Sequence, residues 1–116
     1  MDPANPVIAL CIAGAEAEFE RRLEDAQALY ERAWEARTDD YEACIAAHYV
    51  ARFQDSATEA LRWNQLALTH AEAVGDERVV DFLPSLYLSL AGSYEQIGDI
   101  ETGRTYRARA TSCLGS

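Results

Sequence analysis

Apolar residues return every three or four positions along almost the whole chain, and no stretch alternates apolar and polar residues as a strand would. The pattern predicts an all-α protein of six short helices. Asn5-Pro6 opens the first, with asparagine as cap and proline at the first helical position. Ile8, Cys11, Ile12, Ala15 and Phe19 follow at spacings of three and four, to an end near Glu20. The second, Glu24 to Ala36, puts Ala26, Leu29, Tyr30, Ala33 and Trp34 on one face, and Thr38-Asp39-Asp40 interrupts it. A third runs from there to Phe53. Ser56-x-x-Glu59 fits a capping box that opens a fourth helix to roughly Val74, and Gly75-Asp76 ends it. The fifth carries Leu83, Leu86, Tyr87, Leu90, Ala91 and Tyr94, with Pro84 tolerated in its first turn. Gly98 stops that helix, and Asp99 caps a sixth from Ile100 to about Thr111.

Six helices joined by tight turns make three hairpins, and small residues return in them at fixed intervals. Gly14, Ala26 and Ala33 are separated by twelve and seven residues; His48, Ala60, Ala67 and Ala91, Gly103, Ala110 repeat those spacings. Leu90-Ala91, Tyr94, Gly98-Asp99, Gly103 and Ala110 complete the clearest unit. Leu10, Gly14, Ala26, Tyr30 and Ala33 match in the first, and Ala60 and Ala67 in the second. The pattern resembles the tetratricopeptide repeat, a helix–turn–helix unit of about 34 residues. It covers residues 7 to 111: a first repeat at about 7–40, a second at about 41–83, lengthened around Gly75, and a third at about 84–113.

The resemblance implies a right-handed superhelical stack whose first helices line a concave groove for an extended peptide or a partner helix. Its groove positions fall on Ile8, Cys11, Ala15, Glu18 and Phe19, on Glu42, Ile45, Tyr49, Arg52 and Phe53, and on Ser85, Leu88, Gly92, Glu95 and Gln96. Candidate partner-binding residues are therefore Cys11, Glu18, Phe19, Ile45, Tyr49, Arg52, Phe53 and Leu88. Tyr49, Arg52 and Phe53 are the hot-spot candidates, because aromatics and arginine dominate interface energetics. Some family members clamp a partner's terminal carboxylate with lysine and asparagine, but Cys11 and Ala15 occupy those places in the first repeat, which argues against a chaperone-tail clamp.

Charge narrows the choice of partner. The 116 residues carry a net charge of −10, which argues against nucleic acid or an anionic membrane and favours a basic or neutral protein. All ten cations are arginine, so lysine Schiff-base chemistry is excluded. Cys11, Cys44 and Cys113 are too few and too far apart for a disulfide framework, and reduced thiols in a cytoplasm are expected. The apolar run from Val7 is too short to span a bilayer and has no basic residue before it.

Candidate chemistry is sparse. Gly98 to Thr105 reads G-x-x-x-x-G-R-T, one substitution from a phosphate-cradling loop, but a helical segment precedes it instead of a strand, Asp99 and Glu101 oppose phosphate, and Arg104 replaces the lysine. Cys44 and His48 stand at i, i+4, yet two ligands are not a metal site, and a packed, hydrogen-bonded histidine is the expectation. His70 is expected at a solvated or helix-end position, and the acidic stretch from Ala15 to Asp25 reads as a solvated face with ion pairs. No catalysis, cofactor or metal is expected. The sequence thus describes a non-catalytic adaptor for a protein or peptide, with a ligand- or peptide-sensing regulatory domain as the alternative. A pocket sealed by the segment from Gly75 to Phe82 would favour the latter. The arginine-rich sixth helix suits a solvated cap, and Cys113-Leu114 leaves room for a homodimer.

Overall fold

Most of the helices begin where a short polar side chain satisfies backbone N–H groups that the helix itself cannot, the ones that start at Leu23 and Leu83 being without such a cap. In the computed structural model, which describes residues 2–115 and side chains as far as Cys113, Asn5 Oδ1 accepts from the N–H of Val7 at 2.9 Å and of Ile8 at 3.2 Å, opening α1 (Pro6–Phe19). After α2 (Leu23–Ala36), Asp39 accepts from Glu42 N–H at 2.8 Å at the head of α3 (Asp40–Val50). That helix tightens into a 3-10 turn, Ala51–Phe53. Ser56 Oγ accepts from Glu59 N–H at 3.1 Å to open α4 (Ala57–Val74), and Gly75 closes it with φ of +61°.

Seven α-helices occur among the described residues, not six. The additional one, α5 (Glu77–Val80), is a single turn inside the lengthened segment, capped by Asp76 accepting from Arg78 N–H at 2.9 Å. Four residues are about one helical period, so hydrophobic spacing cannot reveal such a turn. Its anchor is Val79, 3% exposed. α6 (Leu83–Gln96) and α7 (Ile100–Gly115) complete the chain, the latter four residues longer than its pattern predicts.

Neighbours in sequence pack as pairs, α1 on α2, α3 on α4 and α6 on α7, while α3 also rests on α1 and α2, and α4 on α6. Ile8, Cys11, Cys44, Ile45, Leu86 and Leu90 are fully buried between them. The small residues Ala26, Ala33, Ala67, Ala91 and Ala110 are also buried, where helices approach closely. Gly103 is one such approach: a Cβ there would stand 3.0 Å from the Ala91 carbonyl oxygen. No helix among the described residues is long and apolar enough to cross a membrane.

Candidate functional site

The end of α1 and the 3-10 turn after α3 meet through a charged and aromatic cluster. Glu18 accepts from the Tyr30 hydroxyl at 2.9 Å and from Arg52 Nε at 2.9 Å, and it also pairs with Arg52 Nη2. The hydrogen bond from Arg52 is the main reason the Glu18 carboxyl sits below its ordinary range. Tyr30 stacks on Tyr49 with ring centroids 4.9 Å apart and meets Phe53 at 5.8 Å, so both rings are partly covered. Burial pushes the Tyr30 phenol well up.

The sequence-derived candidates are therefore divided. Glu18, Phe19, Tyr49 and Arg52 line one hollow of about 370 Å³, together with Ala15 and Tyr30. Phe53 packs beside it on Tyr30. Phe19 is 89% exposed and also borders a second hollow of about 480 Å³, walled by Ile12 and Ala15 and flanked by Glu16 and Glu20. Cys11 lies in the core at 0% exposure, and Ile45, 1% exposed, forms part of the wall of a separate hollow beside Tyr41 and Phe82. Leu88, 43% exposed, stands elsewhere, in a cleft bounded by the 3-10 turn, the start of α4 and α6.

That cleft, about 490 Å³ in volume, has a polar lining that includes His48, Arg52, Gln54, Asn64, Ser89, Ser93 and Gln96. Asn64 is 4% exposed; its Nδ2 donates to Ser93 Oγ at 2.9 Å, while its Oδ1 meets no hydrogen-bond partner among the described residues. His48 Nδ1 is likewise buried without a partner. The imidazole is held edge-on between the rings of Phe82 (5.0 Å) and Tyr49 (5.4 Å). Burial, reinforced by the charge of Arg52, pushes its pKa down to about 4, so it is neutral at pH 7. His48 is thus packed as the sequence suggests, while its Nδ1 meets no hydrogen-bond partner among the described residues. Asn64 carried one legible signal, a polar residue on a face that also holds Leu61 and Ala67.

The segment from Gly75 to Phe82 comes over α3: Arg78 lies 5.0 Å above the Tyr41 ring and Phe82 covers His48. Between these groups and α6 remains a hollow of about 350 Å³ lined in part by Tyr41, His48, Asp81 and Ser85.

The remaining chemical candidates have structural partners. Cys44 Sγ donates to the Tyr41 carbonyl at 3.1 Å, and burial pushes the Cys11 and Cys44 thiols up to about 12, which keeps both protonated at neutral pH. No cluster of three or more His, Cys, Asp or Glu among the described residues could hold a metal ion. His70 Nδ1 lies 2.7 Å from Asp40 Oδ1. At Gly98 to Thr105, Gly98 turns the chain with φ of +92°, and Asp99 accepts from the N–H and hydroxyl of Thr102 at 3.2 and 2.8 Å, placing a carboxylate where a phosphate would need to sit. Cys113 is exposed, and the side chain of Leu114 lies outside the described residues.

No family model, characterised protein or solved structure matches the chain.

Proposed function

We propose that this protein is a non-catalytic adaptor, a stack of three tetratricopeptide-like hairpins that binds a segment of another protein. The reading of the architecture draws on the paired helices and on the close approaches at Gly14 and Gly103, two of the recurring small positions. The observation that carries the function is Phe19. A phenylalanine 89% exposed costs hydration without contributing to the core, and here it borders a hollow walled by Ile12 and Ala15. Beside it stand Tyr49 and Arg52, residue types that anchor interfaces.

Glu16 and Glu20 flank the apolar hollow, and the whole chain carries −10, so the partner segment presents an apolar anchor with basic neighbours. The buried thiols at positions 11 and 44 are not nucleophiles at neutral pH, in keeping with a binding role. Selection from a displayed peptide library tests this. Enriched peptides should combine a large apolar residue with arginine or lysine and lose at least tenfold in affinity against a folded Phe19→Ala protein. Peptides that bind that variant unchanged would place the interface elsewhere.

A further inference from the structure

The cleft beside the 3-10 turn has features that the Phe19 surface lacks. Asn64 lines it at 4% exposure with an amide oxygen that has no partner among the described residues. Turning the amide over would not resolve this, because Ser93 can engage only one end and the other would remain buried and unpaired. Gln54, also in the lining, spends an Nε2 hydrogen on the Val50 carbonyl at 3.0 Å, and its oxygen is left as an acceptor. His48 Nδ1 is a second buried polar atom without a partner among the described residues. Donors stand opposite on α6, in the Ser89 hydroxyl and the Gln96 amide.

Charge selects the ligand further. Arg52 is occupied by Glu18, the Asp55 carboxylate lines the cleft only from an exposed position, and the deep groups, Asn64 and His48, carry no formal charge at neutral pH, so an ion entering to their depth would leave any counter-charge behind at the surface. A group that offers an N–H and a carbonyl side by side, without charge, matches both sets. Close approach is open from α6, where a Cβ on Gly92 would meet no atom within 4 Å.

We propose that this cleft binds a neutral carboxamide, either a small molecule or a peptide amide, whose N–H donates to Asn64 Oδ1. The site shares Arg52 with the Phe19 surface, but its deep groups do not, and it stands whether or not that surface binds a partner.

The test is a titration of isotope-labelled protein followed by NMR, using N-methylacetamide, acetate and methylammonium at equal ionic strength. N-methylacetamide is expected to produce saturable shifts at the Asn64 side-chain amide and at the backbone of Gly92 and Ser93, and the two ions much weaker ones. N-acetylglycine N-methylamide separates the sources: binding at least tenfold tighter assigns a peptide, and equal binding assigns a single amide group. Asn64→Leu should abolish the shifts. Gly92→Leu, which fills the cleft from α6 and leaves Asn64 intact, should do so too, and it decides the matter if Asn64→Leu does not fold. Unchanged Asn64 signals with N-methylacetamide, a stronger response to either ion, or retained binding in folded Gly92→Leu would overturn the site.

Discussion

The ring of Tyr30 lies against the backbone of Gly14, so close that a Cβ at position 14 would stand 2.3 Å from Tyr30 Cε1 and 2.7 Å from Cδ1. The ring has little room to retreat, since its other face stacks on Tyr49 and its hydroxyl is held by Glu18. Gly14→Ala should therefore destabilise the protein by about 2 kcal/mol despite alanine's better helix propensity. Urea denaturation would measure it, and an unchanged midpoint would mean that α1 and α2 can separate without loss.

Gly92 gives the opposite sign. It lies inside α6 with nothing within 4 Å of a would-be Cβ, so Gly92→Ala adds helix propensity without a clash. Stability should rise by up to about 1 kcal/mol in the same assay.

His48 makes stability depend on pH. Its folded pKa, about 4, lies below the ordinary 6.5, so between those values the unfolded chain takes up a proton that the folded protein refuses. Its contribution is complete above pH 6.5 and declines as pH falls toward 4, by roughly 3 kcal/mol over the interval. Glu18, held low first by Arg52, adds loss of the same sign through the carboxylate range. So does Glu42, whose burial raises its pKa but is outweighed by hydrogen bonds from Asn5 and Thr38. Chemical denaturation between pH 7 and 4.5 should show a shallower decline for His48→Leu than for the native protein. Parallel curves would place the titrating group elsewhere.

Phe19 and Arg52 should separate binding from folding. Phe19 is almost fully exposed, so Phe19→Ala should shift stability by no more than about 0.5 kcal/mol. Arg52→Ala removes a half-exposed ion pair and should cost about 1 kcal/mol or less. Both variants should melt close to the native temperature while losing the selected peptides. A large fall in melting temperature for Phe19→Ala would make its role structural.

Much of the secondary structure was legible because it depends on local chemistry. Asn5, Ser56 and Asp99 can satisfy the first N–H groups of a helix only from the position they occupy in the chain, and Gly75 and Gly98 reach positive φ without strain. The one-turn α5 was not legible, because four residues show no period of their own and its anchor Val79 runs straight into the spacing of Phe82, Leu83 and Leu86. Of the candidate site, the meeting of Glu18, Phe19, Tyr49 and Arg52 follows the spacing of α1 and α3. Cys11 and Ile45 share that spacing yet are buried, since only the packing angle of neighbouring helices decides which edge of an apolar face stays open.

What the sequence determined by itself, then, was an all-helical chain with its main caps, its small residues at recurring intervals and an acidic balance, each a property of residues near one another in sequence or of simple composition. The tertiary structure alone decided that Asn64 would meet Ser93, 29 residues away, and that His48 would lie between Tyr49 and Phe82 with one nitrogen unpaired among the described residues. The physical reason is that burial and hydrogen-bond satisfaction depend on which helices approach in space. Local spacing specifies a helix face but not the partner that covers it.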